Sequence, residues 1–227
     1  MSSLSSAAFI HSPMSTAEVE ASEKLYGSLA GDVRRLIDVL IRTEVGADRV
    51  AQARELVQQA QMLLGEQASA EAAGVKFNDE GRSWSWGNAA VGARNAIAPP
   101  MVLRWDDDGE VRSEVDLGVA YEGPPGCVHG GVSALMLDHL MGETASAAHT
   151  RLTMTGTLTL RYIAPLPLGR IWLRARIERE SDRKVTVVAS IGPGEPSSDS
   201  SIEARGLFIV PRWAQSGDVP ADIGSLD

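Results

Sequence analysis

The stretch "GCVHGGVSALMLDHLMG", residues 126–142, joins a His-Gly-Gly step to an apolar run that contains one carboxylate. The apolar residues predict a helix over 130–148. Glycine in a helix interior costs about 1 kcal/mol relative to alanine. An ionised carboxylate without a partner on an apolar face costs more. Both costs on one helix favour a functional role for it.

Strand-like segments precede and follow this helix, at 101–105, 111–118, 153–163, 170–180, 184–192 and 202–211. In "TMTGTLTLRYI", threonines occupy every second position from Thr153 to Thr159, a period typical of a strand. One helix among about six antiparallel strands predicts an α+β domain, with the sheet wrapped around the helix, over 74–212. Its first part, 74–100, is expected to be a long irregular or extended connector of the kind that often borders a site.

The N-terminal part has a different pattern. Apolar residues at spacings of three and four predict a helical hairpin, assigned to 16–73. Nine acids against six bases between Glu18 and Glu66 disfavour a DNA-reading helix pair, so packing or oligomer contacts are expected. Residues 1–15 are expected to be disordered, and 213–227 to form a loose tail.

Composition excludes several classes of protein. The net charge of −9 gives no general attraction to nucleic acid or an anionic membrane. The single cysteine, Cys127, excludes an internal disulfide. The first residues lack the features of a signal or transit peptide, and no segment approaches the roughly 20 apolar residues of a membrane span. A cytoplasmic protein without nucleic-acid partners is therefore expected.

The first candidate site is the pair Gly130 and Gly131. Residues without a Cβ let a carbonyl approach backbone N–H groups, and a helix start presents unsatisfied N–H groups with partial positive charge. This geometry fits an oxyanion hole for acyl transfer. The alternative is a tight turn into a helix capped by His129.

The second candidate is Asp138, eight residues after Gly130 among apolar neighbours. Its carboxylate could activate water as a general base or attack an acyl carbon directly. The alternative is a carboxylate paired with an arginine or exposed on the outer side of the helix. Cys127 with His129 is a weak nucleophile pair, and His139 and His149 lack ligand spacing, so neither a metal nor a cofactor is expected.

The stretches "YEGPPGCVHGGVSALMLDHLMG" and "TMTGTLTLRYIAPLPLG" resemble the PaaI-like hotdog-fold acyl-CoA thioesterases over roughly 75–211. The resemblance implies a hotdog fold and hydrolysis of an acyl-CoA. It implies that the Gly130 N–H polarises the thioester carbonyl, that Asp138 is the catalytic acid and that Thr155 orients water. His129 matches a motif position with a positional role, whereas the asparagine that some relatives have near Gly123 is absent.

Coenzyme A carries phosphates, and the resemblance makes Arg183 and Lys184 candidate partners for them; a solvated turn is the alternative. Gly131 is a further candidate for substrate binding. The rival function is a non-catalytic acyl-CoA-binding protein with a regulatory N-terminal arm. A pure binder has no need of a carboxylate beside a thioester, so Asp138 and Thr155 favour the enzyme.

Helix geometry adds an expectation about assembly. Eight residues on one helix separate Gly130 from Asp138 by about 12 Å, too far for both to touch one thioester. We therefore expect a homodimer or homotetramer in which each site takes its glycine and its aspartate from different subunits. Dimers of this kind, often paired into tetramers, are also what the family resemblance implies.

Overall fold

A computed structural model describes residues 9–69, 74–147, 151–196, 199–212 and 214. The described residues contain three helices and nine strands. The helices are α1 Thr16–Arg42, α2 Ala47–Gly65 and α3 Gly130–Ser146. The strands are β1 Phe9–His11, β2 Val75–Phe77, β3 Ser83–Trp84, β4 Arg104–Trp105, β5 Val111–Leu117, β6 Met154–Tyr162, β7 Gly169–Ser181, β8 Lys184–Pro193 and β9 Ile202–Ile209. Residues 1–8, His149 and all of 213–227 except residue 214 lie outside the described ranges, and the predictions for them stay untested.

Six strands form one antiparallel sheet in the order β4-β5-β7-β8-β9-β6. Burial alternates strictly along β5, with every second residue from Val111 to Leu117 buried, because successive side chains of a strand point to opposite faces. The predicted α+β sheet around one helix is confirmed. The first predicted strand, 101–105, is shorter than expected and spans only Arg104–Trp105.

Helix α3 is the centre of the hydrophobic core. Met136, Leu137, Leu140 and Met141 are completely inaccessible to solvent. Side chains from the inner face of the sheet pack against them, including Leu173, Val187 and Phe208. α3 is in contact with β5, β6, β7, β8 and β9. The sheet therefore wraps around a helix that is apolar over most of its circumference.

A second, three-stranded sheet joins the N-terminus to the connector. β1 pairs in parallel with β2, which pairs with β3. The disorder predicted for 1–15 is therefore wrong for Phe9–His11, because these residues gain ladder hydrogen bonds from Val75–Phe77. Ser15 then begins α1 in a capping box, in which its hydroxyl and the Glu18 carboxylate each accept a backbone N–H.

The two predicted N-terminal helices are present, but they are not packed as a hairpin. α1 buries Val19 and Ala30, and it lies beside the 3₁₀ turn Val119–Tyr121. Every residue from 39 to 69 is exposed, so α2 buries none of its side chains against α1 or any other described element. No helix within the described ranges is both long and apolar enough to cross a membrane.

The burial of α3 makes a prediction about stability. Leu140→Ala is expected to lower the free energy of unfolding by about 2–5 kcal/mol, because it leaves a cavity in the core. Leu135 lies on the same helix but is 37% exposed. Leu135→Ala should therefore cost less than about 1 kcal/mol. Denaturant unfolding measures both values, and equal losses would contradict the burial of α3 on the face that carries Leu140.

Candidate active site

His129 begins helix α3 as its N-cap residue. Its backbone is extended, and its Nδ1 accepts a hydrogen bond of 3.0 Å from the Gly131 N–H. The His129 carbonyl accepts from Val132 and Ser133 in the first turn. The capping role that the sequence left as an alternative is therefore present. The Gly131 N–H is therefore already paired. It is not free to bind substrate, which the sequence had predicted for Gly131.

Gly130 retains an unpaired backbone N–H. No hydrogen bond from this N–H is found within the described part of the chain. Tyr162 lies against the glycine, and its hydroxyl donates to the Gly130 carbonyl at 3.0 Å. A Cβ at position 130 would stand 3.3 Å from both Cε1 and Oη of Tyr162, which is tighter than an ordinary contact. The missing side chain thus lets the ring approach the helix start.

Gly123 lies near the position at which the resemblance implies an asparagine in some relatives. A Cβ there would lie 2.7 Å from the His129 Cα. In this backbone a side chain at Gly123 would collide with the residue that caps α3. The absence of asparagine therefore agrees with the local packing.

Asp138 and Thr155 meet where α3 faces β6. The Thr155 hydroxyl donates to Asp138 Oδ1 at 2.9 Å. Asp138 is half-buried, whereas Thr155 is exposed because β6 is an edge strand. No arginine forms an ion pair with Asp138 among the described residues. The alternative of an arginine-paired carboxylate is therefore wrong.

A β-bulge decides which threonine faces the helix. The register of β6 against β9 shifts between Thr155 and Thr157. Thr155 pairs with Phe208, whose side chain is buried in the core. Thr157 pairs with Leu207, the residue before Phe208, whose side chain is on the outer face of the sheet. Thr155 therefore shares the inner face of the sheet with α3, and Thr157 does not.

Asp138 and Thr155 line a cavity of about 250 Å³. His139 and Glu143, one turn apart on α3 and largely buried, line the same cavity, with 3.8 Å between Nε2 and Oε1. Phe9 from the small sheet contributes to its apolar part. A larger groove of about 550 Å³ lies on the outer face of the six-stranded sheet and holds none of the predicted site residues. The inner cavity is therefore the candidate active site.

The two halves of the predicted site lie at opposite ends of β6. Asp138 contacts Thr155, near the start of the strand, and Gly130 contacts Tyr162, at its end. Their partners on β9, Phe208 and Ile202, are six residues apart, so the contacts lie about 20 Å apart along the sheet. Gly130 and Asp138 themselves are about 12 Å apart along α3. Within one chain the Gly130 N–H and the Asp138 carboxylate therefore do not converge.

Arg183 and Lys184 lie outside the cavity. The Arg183 guanidinium donates to the Val210 carbonyl at 3.0 Å, so part of its donor capacity holds the chain after β9. Lys184 is exposed and pairs with Ile209, which in turn pairs with Met154. Two strand spacings place the Cα of Lys184 about 10 Å from that of Met154, at the same end of the sheet as Thr155.

Comparisons with known proteins identify the family. A sequence model described as thioesterase superfamily matches residues 125–195. The crystal structure of protein RHA08564, described as a thioesterase superfamily protein, has 32% sequence identity and a TM-score of 0.71. The match covers 88% of this chain and 98% of that one. The chain belongs to the thioesterase superfamily. The hotdog fold expected from the resemblance is confirmed.

A curated relative adds a description of activity. The chain is similar to the acyl-coenzyme A thioesterase THEM4 of Xenopus laevis, with 37% identity over 93 residues. The alignment covers 40% of this chain and 41% of that relative, so the chain spans less than half of the relative's length.

Tyr162 and the pair His139–Glu143 belong to the site region but were not among the predicted site residues. The spacing of four between His139 and Glu143 places both on one side of α3, and this signal was available in the sequence. Tyr162 carried no such signal, since its contact with Gly130 joins residues 32 positions apart. Its place depends on how β6 runs along α3.

The role of His129 as a cap can be tested by stability. His129→Ala is expected to lower the free energy of unfolding by about 0.5–2 kcal/mol, because the Gly131 N–H loses its acceptor. Asparagine is a good N-cap residue, so His129→Asn should retain most of that stability. Chemical unfolding of the two variants gives the comparison. Equal destabilisation by alanine and asparagine would mean that the cap is not what His129 contributes.

Proposed function

We propose that this protein hydrolyses an acyl-CoA thioester to a free acid and coenzyme A, with Asp138 as general base or nucleophile. The observation that carries the proposal is the hydrogen bond from Thr155 to Asp138 inside the cavity. It orients a half-buried carboxylate that has no cationic partner among the described residues. Membership of the thioesterase superfamily and the likeness to an acyl-coenzyme A thioesterase support the reaction class.

The hydrogen bond defines what each oxygen of Asp138 is free to do. Oδ1 accepts from Thr155, which leaves Oδ2 to take a proton from water. The water oxygen bonds to the acyl carbon, the carbon–sulfur bond breaks, and the leaving thiolate receives the proton from Asp138. In the nucleophilic variant Oδ2 itself attacks the acyl carbon, and the carbon–sulfur bond breaks to give an anhydride and a thiolate. Water then hydrolyses the anhydride to the free acid and the Asp138 carboxylate, and the proton that this releases goes to the thiolate.

The Gly130 N–H is the proposed donor to the thioester oxygen. It lies at the start of α3, where the helix dipole favours the negative charge that develops on that oxygen. His129 holds this end of the helix through Gly131 and has a positional role. Lys184, exposed at the Thr155 end of the sheet, is better placed than Arg183 to receive a phosphate of coenzyme A, because Arg183 is partly used by Val210.

A second copy of the chain would complete the site. β6 has an open edge, because among the described strands it pairs only with β9. Antiparallel pairing of β6 with its copy, with Thr155 opposite Tyr162 of the copy, would bring the copy's Gly130 towards Asp138. The same pairing would cover the exposed Thr155 and satisfy the unpaired backbone groups of the edge. We therefore propose a dimer with two shared sites, alone or as half of a tetramer.

The function is tested with a panel of acyl-CoAs and detection of the released thiol. The panel runs from acetyl to palmitoyl and includes phenylacetyl and hydroxybenzoyl thioesters. Turnover of at least one member supports the hydrolase. Binding of acyl-CoA without turnover anywhere on the panel would overturn it and leave an acyl-CoA-binding protein.

Asp138→Asn is expected to lower turnover on the best substrate about a hundredfold or more, because an amide is neither a base nor a nucleophile. Asp116→Asn on the exposed face of β5 is the matched control and should be neutral. Thr155→Ala keeps the carboxylate and should cost about ten- to a hundredfold.

Thr157→Ala controls for the threonine substitution, since Thr157 lies on the other face of β6. Steady-state kinetics and an unfolding curve are measured for each variant. Near-normal turnover in Asp138→Asn would exclude a catalytic Asp138. A greater loss in Thr157→Ala than in Thr155→Ala would contradict the assigned register.

Complementation tests the shared site. Gly130→Pro removes the backbone N–H at the first residue of α3, a position at which helices tolerate proline. The preceding residue, His129, already has the extended backbone that a residue before proline prefers. Gly130→Pro and Asp138→Asn proteins are mixed after gentle dissociation. Random re-association makes half of the dimers mixed, each with one intact site, so activity should return to about a quarter of the unmutated level. If mixed dimers form and stay inactive, each site lies within one chain.

A further inference from the structure

Helix α2 carries a row of apolar residues along one side and is entirely exposed. Its apolar residues recur at spacings of three and four and form one face, which we call the α2 stripe. The α2 stripe consists of Val50, Ala53, Leu56, Val57, Ala60, Leu63 and Leu64. Alanines run along its centre, with valine and leucine on both sides. None of these side chains is buried in the described chain. An exposed face of this kind on a globular protein marks an interaction surface.

Helix α1 carries a second such face. Its inner side is fixed to the connector, because the Glu23 carboxylate accepts from Arg82 and Trp86. Its outer side presents four leucines, which we call the α1 stripe. The α1 stripe consists of Leu25, Leu29, Leu36 and Leu40, each between 38% and 68% exposed. Two apolar faces thus lie on adjacent helices, and neither covers the other.

Little within α2 itself stabilises it. Its N-cap is Gly46, which has no side chain to accept a hydrogen bond, and its last turn contains no basic residue. Most of the stability of a helix in a protein comes from the packing of its apolar face. A packing partner for the α2 stripe would therefore stabilise the helix as well as cover the stripe.

Charge decides among the partners. α2 has two acids and two arginines, so it is neutral in a chain of net charge −9. Nucleic acid and anionic membranes bind basic faces, and α2 has none. Gln52, Gln59, Gln61 and Arg54 flank the stripe. If two copies of α2 pair antiparallel about Val57, each Arg54 is level with Ala60 of the copy, next to Gln61. Arg49, which is in line with the stripe, is level with Gly65 of the copy, so no like charges meet.

The area is also that of a protein interface. The two stripes contain nine large apolar side chains, each between 38% and 69% exposed, which together present on the order of several hundred Å² of apolar surface per chain. A standard interface buries about 800 Å² per partner, of which somewhat more than half is apolar. The apolar area of the two stripes is therefore sufficient for an interface with the same stripes of a second copy.

We propose that the α1–α2 arms of two copies of this chain form a four-helix bundle. In it the α2 stripes face each other antiparallel about Val57, and the α1 stripes close the bundle on either side. The bundle is an interface separate from the β6 edge, and none of its residues belongs to the proposed catalytic site. A test of one proposal therefore does not decide the other. It gives the N-terminal arms a role in assembly.

Cross-linking tests the contact directly. Cys127 is replaced by serine in the full-length chain, and a cysteine is placed at Val57 on the stripe or at Glu55 on the opposite face of α2. A short bismaleimide is expected to join Val57→Cys chains into covalent dimers at least about fivefold more efficiently than Glu55→Cys chains. Equal yields at the two positions, or monomers alone, would overturn the proposal.

Association provides the second readout. Leu56→Lys with Leu63→Lys places two charges on the stripe and should raise the dissociation constant between arms about 30-fold or more, measured by sedimentation. Ala51→Lys with Gln58→Lys places two charges at the same spacing on the opposite face and should leave it unchanged. A further variant, Val57→Cys with Leu36→Cys, tests for closure within one chain, and a cross-link formed only within monomers would also overturn the bundle.

Discussion

The burial of helix α3 against the inner face of the six-stranded sheet is the constraint on which the rest of the structure depends. Its core positions are completely inaccessible, and five strands contact it. A carboxylate on such a helix needs a polar partner at a place that solvent can reach. The edge strand β6 offers this place, because one side of it is open and Thr155 faces α3 there. Asp138 is therefore half-buried rather than sealed in the core.

The fold was predictable where local pattern and burial agree. The apolar run of α3 and the period of two in β5 and β6 each reflect one face packed on the core, so the sequence predicts these elements within a few residues. The predictions failed where partners are distant. Phe9–His11 form a strand only through pairing with Val75–Phe77, more than 60 residues away, and nothing local signals this. The periodicity of α1 and α2 predicts two helices but not which surfaces they cover.

The candidate site was also predictable from the sequence only in part. Asp138 and Thr155 were predictable from an acid on an apolar helix and from the family resemblance, and the structure brings them within 2.9 Å of each other. Which N–H groups of the His-Gly-Gly step are free was not predictable, because it depends on the side-chain rotation of His129. The structure shows that Nδ1 of His129 occupies the Gly131 N–H and leaves that of Gly130 unpaired.

Antiparallel pairing of β6 with its copy would account for three separate features of the single chain. The edge of β6 has backbone groups that no described strand pairs, Thr155 is exposed beside the carboxylate it orients, and the Gly130 N–H lies about 12 Å along α3 from that carboxylate. Antiparallel pairing across a two-fold axis reverses the strand, so the end of one β6 lies beside the start of the other. A single symmetric contact would therefore satisfy the edge, cover the threonine and join the two halves of each site. The exposed arms lie outside this contact, so the proposed interface between their apolar stripes would be a separate one.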